Sequence, residues 1–261
     1  MNVYSQKGFY LHPLIENKSH VNVGYFSEVV TIKGDKFQVR PVNFYNDLNR
    51  IGFGLHAGYH TKKMFFEIGW VSDYSATTTR VVGKCMANDS TYFLDQVKNT
   101  ISIPLNKFPI RVGTRVVGKD SVNPDKHVKW QCFLYAGVDL LRPSSNIKKQ
   151  EYTHDFMIIP NQYARYENTY KAIFGNRAYS ITLGTQLKAY NKKGRNIINL
   201  GIHYSLGTRL VLFNPVHLIN YDGASYWTSG IRSKASGLYI SISKDIYPKN
   251  LIEIAKLPTV F

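Results

Sequence analysis

Large apolar residues alternate with small or polar residues in several short segments of this chain. The clearest segment is 51–59, where Ile51, Phe53 and Leu55 fall on one face while glycines and His56 fall on the other. Successive side chains of a β-strand point to opposite faces, so a period of two predicts a strand. The alternation therefore predicts an all-β chain.

The same pattern predicts eight strands. They cover 9–16, 50–59, 65–74, 99–106 with a continuation to 112 left open, 130–141, 179–190, 197–210 and 237–247. Most of these segments come close to the ~9–11 residues that a tilted strand needs to cross a bilayer. The stretch 36–45 also alternates weakly, so ten strands remain an alternative.

The predicted connections alternate in length. Short ones lie at 60–64 and at 191–196, where Gly194 suits a hairpin turn. Long ones cover 20–50, 75–98, 142–178 and 211–236, and 113–129 is intermediate. Short turns at one rim and long extracellular loops at the other are typical of outer-membrane barrels. With eight strands, both termini would lie at the rim with the short turns.

The composition of the polar face separates a membrane barrel from a soluble one. In the seventh predicted strand that face carries small residues and a histidine, and the opposite face carries Leu200, Ile202 and Leu206. Small residues fit the interior of an eight-stranded barrel, where side chains fill the lumen. We therefore expect an antiparallel up-and-down transmembrane β-barrel whose apolar face contacts lipid. A soluble lipocalin-like barrel, with its apolar face inside, is the alternative.

Charged residues also occur on the predicted inner face. They are Glu67, Asp73, Asp139, Lys188, Arg209 and Asp245. Buried charges of both signs must pair, so we expect an ionic network that plugs the lumen. Aromatic residues near the ends of the outer face would form the girdles of a membrane barrel, namely Tyr59, Tyr74, Trp130 and Tyr179.

The length of 261 residues suits one barrel domain, which we place at 7–248. Residues 1–6 are either the remnant of a secretion signal or an ordinary N-terminus, and the tail 249–261 is left unplaced. No apolar run approaches the ~20 residues of a transmembrane helix. The net charge of +16 favours anionic partners.

Many basic residues lie in the predicted long loops. Those expected to face lipopolysaccharide are Arg80, Lys84, Lys148, Lys149, Arg177, Arg232 and Lys234. At the outer rim they would contact its phosphate groups. Outer-membrane lipid, lipopolysaccharide and other outer-membrane proteins are the expected partners. Nucleic acid is not, because the strands leave no basic face for a duplex.

Four segments carry a family resemblance. They are Ile-Ser-Ile-Pro-Leu at 101–105, Phe-Leu-Tyr-Ala-Gly-Val at 133–138, the segment 200–207 with its Ser-Leu-Gly end, and 237–247. Together they resemble strands of small outer-membrane barrels of Bacteroidetes-type bacteria, the PorT-like and OmpA-like barrel families. The resemblance covers roughly 50–247 and implies a barrel in the bacterial outer membrane, with no shared enzyme activity. Some members serve type IX secretion. The chain departs from the family where 14 residues follow Tyr247.

His203 and Ser205 form the only pair that looks catalytic. Outer-membrane lipid A deacylases use a His-x-Ser on a late strand, and residues i and i+2 share a face. Here Leu206 follows the serine, where the deacylases have Asn. The pair also lies on the predicted inner face, whereas a lipid A acyl chain approaches from outside. We expect both side chains to fill the lumen.

Histidine positions give no expectation of a metal site. His56 and His60 share the inner face of the second strand, but no carboxylate stands at metal-ligand spacing in the sequence. No cofactor is expected either. The sequence thus favours a non-enzymatic outer-membrane barrel that acts as a scaffold or as a subunit of an outer-membrane complex. A lipid A esterase and a soluble carrier are the alternatives.

Overall fold

β-strands make up nearly all of the regular structure. The computed structural model describes residues 8–248 except 22, 25–29, 33–34, 42–43, 88–89, 119–127, 144–149, 160–161, 173–177 and 221–225. Side chains are described for 8–21, 51–78, 100, 102–118, 128–142, 178–212 and 233–248. Within the described residues, no helix has the length and apolar character needed to cross a membrane.

Fifteen strands are present in this part of the chain. They are β1 (Gly8–Val21), β2 (Val23–Gly24), β3 (Val30–Ile32), β4 (Asp35–Pro41), β5 (Phe44–His60), β6 (Met64–Ala87), β7 (Ser90–Val117), β8 (Val128–Pro143), β9 (Gln150–Ile159), β10 (Gln162–Ala172), β11 (Ala178–Asn191), β12 (Asn196–Gly207), β13 (Leu212–Asn220), β14 (Tyr226–Ser233) and β15 (Gly237–Ser243).

Eight of these strands close into an antiparallel barrel. The ring runs β1-β5-β6-β7-β8-β11-β12-β15, and β15 pairs back onto β1, with Leu14 opposite Ser243. The eight strands are those predicted from the alternation. The weakly alternating stretch 36–45 adds no strand to the ring, because β4 pairs with the distal part of β6.

The barrel has a short-turn end and a long-connection end. Residues 61–63 join β5 to β6, and 192–195 join β11 to β12. Gly194 has a φ of 72°, the left-handed value that the hairpin turn requires. The side-chain oxygen of Asn191 accepts hydrogen bonds from the backbone N–H groups of Lys193 and Arg195 at 3.0 and 2.9 Å. The predicted hairpin at 191–196 is confirmed.

The long connections contain more structure than the predicted loops. β2, β14, β13, β10 and β9 form a second, five-stranded sheet, and β3 and β4 extend the barrel sheet beyond β6. The prediction of loops at 20–50, 75–98, 142–178 and 211–236 was therefore wrong for most of their length. Strands that do not form the barrel wall need no strict alternation between an outer and an inner face, so the pattern did not mark them.

The barrel wall has an apolar outer face and a polar inner face. Leu183 and Ile202 are 62% and 53% exposed, whereas their neighbours Thr182 and His203 are buried. The outward position of Leu200, Ile202 and Leu206 matches the prediction. An outer surface made of exposed Ile, Leu, Phe and Val side chains continues across all eight strands.

Three of the four predicted girdle aromatics are on the outside. Tyr59, Trp130 and Tyr179 are exposed, but Tyr74 is buried, so its assignment to the girdle was wrong. Its ring centroid lies 4.7 Å from that of His20, and its hydroxyl donates to the Lys18 carbonyl at 3.5 Å. Both faces of β6 are buried around Tyr74, so the alternation of residue types no longer indicates which side chains are exposed there.

Candidate functional site

The lumen is filled by charged, polar and aromatic side chains. Nine charged side chains of the described residues are buried: Glu16, Lys18, Glu67, Asp73, Lys107, Arg111, Asp139, Lys188 and Asp245. Four are cations and five are carboxylates, so this group contributes none of the excess positive charge. Apolar clusters accompany them, with Phe65, Phe133 and Tyr135 in one and Ile103, Leu105, Leu141, Ala178, Val211, Leu212 and Ala235 in the other.

Asp245 organises the part of the lumen near the short-turn end. Its carboxylate accepts hydrogen bonds from Lys188 Nζ and Asn199 Nδ2, both at 2.8 Å. Nδ1 of His12 lies 2.7 Å from the same carboxylate. The backbone N–H of Asp245 donates to Asn196 Oδ1 at 2.8 Å. These contacts tie the segment that follows the last strand to β1, β11 and β12.

Glu67 lies beside this group and faces two histidines. Its Oε1 accepts a hydrogen bond from the Tyr10 hydroxyl at 2.7 Å and lies 3.5 Å from His12 Nδ1. Its Oε2 lies 3.4 Å from His56 Nδ1. The two imidazole rings stack with their centroids 5.6 Å apart. Gly69 makes room for this pair, because a Cβ at that position would overlap the His56 ring.

No carboxylate stands at metal-ligand spacing from the histidines in the sequence, but the fold brings Glu67 beside His12 and His56. His12 pairs with His56 across β1 and β5, and His56 pairs with Gly69 across β5 and β6, which puts Glu67 at the same level. The three residues are far apart in sequence and meet only because adjacent strands share this register. A search for ligands close together in the sequence could not find these three residues. A prediction of how the first three barrel strands pair could have found them.

A second charged group lies toward the long-connection end. Lys18 Nζ contacts Asp73 Oδ2 at 3.3 Å, and the Tyr239 hydroxyl donates to the same oxygen at 2.8 Å. Lys107 forms an ion pair with Glu16, and its Nζ lies 4.0 Å from the centroid of the Tyr239 ring. The sequence reasoning missed all three of Glu16, Lys18 and Lys107: Lys18 lies beyond the predicted first strand, Lys107 lies in the open continuation of the fourth, and Glu16 lies at the end of the first.

Asp139 is bonded to hydroxyl groups. Its Oδ2 accepts hydrogen bonds from Thr182 at 2.6 Å, Ser180 at 3.1 Å and Ser205 at 3.4 Å. Arg111, which the sequence reasoning also missed, places its guanidinium 5.4 Å from the Tyr135 ring centroid. Hydrogen bonds and ring contacts therefore stabilise the buried charges in addition to the predicted ion pairs.

Arg209 does not belong to the lumen. Its side chain is exposed, so its place in the predicted network was wrong. β12 ends at Gly207, where a Cβ would overlap the backbone oxygen of Lys234. The chain leaves the barrel wall at this close approach, and the alternation that predicted a strand to residue 210 continues past the true end.

His203 and Ser205 both lie inside the barrel but do not contact each other as a base and a nucleophile would. The His203 ring stacks on the Tyr239 ring at a centroid distance of 4.5 Å, and neither ring nitrogen has a hydrogen-bond partner. The Ser205 hydroxyl donates to Ser180 Oγ at 2.8 Å. The pair therefore lacks the hydrogen bond that activates a serine nucleophile.

The predicted lipopolysaccharide-facing residues are dispersed over the distal structure. Arg80 and Lys84 lie on β6 opposite Arg40 and Lys36 of β4, and Arg232 lies on β14 opposite Val23. Lys234 is half-exposed in the segment before β15. Lys148, Lys149 and Arg177 lie outside the described residues.

Comparison with known proteins identifies no family. No family model matches the chain, and no curated protein matches it. Among solved structures, the chain is similar to the outer membrane protease OmpT from Escherichia coli, with 8% sequence identity and a TM-score of 0.24 over 91% of this chain and 93% of that chain. Similarity at this level carries no argument about activity, so the fold rests on the strand pairing described above.

Proposed function

We propose that this protein is a non-enzymatic β-barrel of the bacterial outer membrane, acting as a scaffold or as a subunit of an outer-membrane complex. The observation that carries the proposal is the distribution of polarity across the wall. The outer face exposes apolar side chains on every barrel strand, while nine charged side chains among those described lie inside. Soluble monomers rarely expose apolar patches of this extent, whereas a membrane barrel requires them.

The lumen supports a scaffold role better than a carrier role. A lipocalin-like carrier needs an apolar cavity for its ligand, but the described interior is occupied by ion pairs, hydrogen bonds and stacked rings. A filled lumen leaves the ends of the barrel for interaction. The long-connection end, with its second sheet and basic residues, is the surface we assign to lipopolysaccharide and to other outer-membrane proteins.

Membrane placement is tested by cysteine labelling in intact cells, with Cys85 and Cys132 first replaced by Ser. Ile202→Cys, on the outer face of β12, should resist a membrane-impermeant maleimide. Thr208→Cys, exposed just beyond the end of β12, is the matched control and should label readily. Equal labelling of both positions would place the apolar face in water and overturn the membrane assignment.

The binding surface is tested by charge reversal at opposite ends of the barrel. Arg232→Glu with Lys234→Glu should reduce the lipopolysaccharide and the partner proteins that co-purify with the protein after mild cross-linking. Lys192→Glu with Lys193→Glu, in the exposed turn at the short-turn end, is the control and should leave both unchanged. A loss that is equal for the two pairs would contradict a role for the long-connection end.

A further inference from the structure

We propose that the lumen holds a divalent transition metal ion of the Zn²⁺ class, bound by His12, His56 and Glu67. The three residues come from β1, β5 and β6, and their candidate ligand atoms all lie within 4.8 Å of one another. All three side chains are buried, with exposures of 2%, 0% and 2%. The site is separate from the surface that we assign to partners.

The distances inside the cluster fit a shared cation better than direct hydrogen bonds. The two Nδ1 atoms face the two oxygens of Glu67 at 3.5 and 3.4 Å. A good N–H···O hydrogen bond spans ~2.7–3.2 Å, so both contacts are long. Ligand atoms at ~2.0–2.1 Å from a tetrahedral Zn²⁺ are ~3.3 Å apart. Each Nδ1 is close to that distance from one oxygen of Glu67, and all three ligand atoms lie within 4.8 Å of one another.

His56 lacks adequate partners without such an ion. It is completely buried, its Nε2 has no hydrogen-bond partner, and its Nδ1 has only the long contact to Glu67. A buried polar group without a full hydrogen bond destabilises the fold. Coordination would give Nδ1 a strong bond in place of the long contact to Glu67.

The donor set selects the class of metal. Two imidazole nitrogens and one carboxylate suit Zn²⁺ and its neighbours in the first transition row, whereas Ca²⁺ and Mg²⁺ prefer oxygen ligands alone. The Tyr10 hydroxyl, which donates to Glu67 Oε1 at 2.7 Å, would orient the carboxylate.

Binding of the metal ion has to displace a contact with Asp245. The ion replaces the 2.7 Å contact between His12 Nδ1 and Asp245, and any proton held by the coordinating nitrogens is released. Asp245 keeps its bonds to Lys188 and Asn199 and remains beside the ion as a second carboxylate. Lys188 pairs with Asp245, and Arg111 also interacts with Glu67 and His56, so the ion would be held by its ligand atoms and not by excess negative charge.

The position of the site indicates a structural role. The ion would join the first three strands of the ring from the inside, next to Asp245, which already joins the segment after β15 to β1. Because the surrounding lumen is filled, loading would accompany folding of the barrel. The metal would thus act as a cross-link near the seam between the first and last strands.

The test measures metal bound to the whole 261-residue chain. The protein is folded in detergent with Zn²⁺, freed of unbound metal and analysed by mass spectrometry for Zn²⁺ per chain, counting only the heat-modifiable, folded fraction. The wild type should hold about one ion per chain, and His56→Gln and Glu67→Gln less than a tenth of that. His60→Gln is the control, since His60 is equally buried on the same face of β5 and should leave the ratio unchanged. Full retention in His56→Gln, or a loss in His60→Gln as large as that in His56→Gln, would overturn the proposal.

A second measurement does not depend on the folding of lumen variants. Wild-type protein is folded with Co²⁺, and binding to the two imidazoles and the carboxylate should give visible absorption bands that added Zn²⁺ removes. Tyr10→Phe should weaken binding by about tenfold in a chelator competition, as expected for loss of a group that orients a ligand. Wild-type protein that binds neither Co²⁺ nor Zn²⁺ at a stoichiometric level would refute the site.

Discussion

The two faces of the barrel wall follow different rules although they are built from the same strands. On β11, Leu187 is exposed on the outside, whereas the next residue, Lys188, is fully buried and bonded to Asp245. An outward side chain needs only to be apolar and has no required partner. An inward side chain is fixed by groups that arrive from distant strands. The outer face therefore determines which surroundings the barrel suits. The inner face determines how the strands of this particular barrel fit together.

Removal of one member of a buried ion pair should have the largest effect. Asp245→Ala leaves Lys188 without its carboxylate, and breaking a buried pair in this way costs about 3–5 kcal/mol. Lys244→Ala, at the exposed neighbouring position, is the control and should cost little. Urea unfolding in lipid vesicles measures both.

A double substitution in the same ion pair distinguishes the loss of charge pairing from the loss of packing. The double variant Asp245→Leu with Lys188→Met removes both charges, so it should recover most of the stability lost in the single variant. A double variant as unstable as Asp245→Ala would show that the loss comes from packing and not from the uncompensated charge of Lys188.

A charge placed on the outer face should have the second-largest effect on stability. Leu183→Arg places a cation on the lipid-facing side of β11, which costs about 2–4 kcal/mol near the middle of a bilayer. The inward neighbour is the control: Thr182→Ser retains the hydroxyl that donates to Asp139 and should be nearly silent. Folding yield and heat-modifiable gel mobility measure both. Equal tolerance of the two changes would indicate an outer face in contact with water.

Substitutions that add volume should destabilise the inner face more than the outer face, by less than the charge substitution does. Gly69→Ala forces its Cβ into the His56 ring, and overpacking of this kind costs about 1–3 kcal/mol. Ala57→Val adds volume to the outer face of the adjacent β5 and should change the free energy of unfolding little. If both substitutions are tolerated alike, the inner face is less tightly constrained than the contacts indicate.

The smallest effect is expected at Ser205. Ser205→Ala removes a hydroxyl bonded to Ser180 and Asp139 and should cost about 1 kcal/mol. His203→Ala and Ser205→Ala should both leave the lipid A profile of cells unchanged, as mass spectrometry can show. Loss of an acyl chain that requires Ser205 would make the protein an esterase and would end the scaffold proposal.

The sequence predicts the ring well and its ends poorly. Alternation reports that one face is apolar and the other polar, so it locates every barrel strand. It cannot report where a strand leaves the wall, which for β12 depends on the approach of Gly207 to Lys234. Nor does it report exposure where both faces are covered, as at Tyr74. The errors at Arg209 and Tyr74 have these two causes.

The contents of the lumen were predictable by type, but their partners were not. Five of the nine buried charges among the described residues were identified from their position on the inner face, and Glu16, Lys18, Lys107 and Arg111 were not. Their pairing depends on which residues of non-neighbouring strands reach the same level, and one residue of register shift would change it. Glu67 meets His12 and His56 through two such registers, which no local spacing encodes.

The β6–β7 hairpin is much longer than a membrane crossing needs. Its strands have 24 and 28 residues, or roughly 80–90 Å at the usual rise per residue, and their pairing runs from Met64 opposite Thr114 to Ala87 opposite Ser90. Only ~9–11 residues of each strand are required within a bilayer. The remainder continues the hydrogen-bonded ladder of the wall beyond the barrel, and β4 pairs with β6 along part of it. A partner bound to the distal part of this hairpin would therefore be joined to the barrel wall by a continuous run of paired backbone.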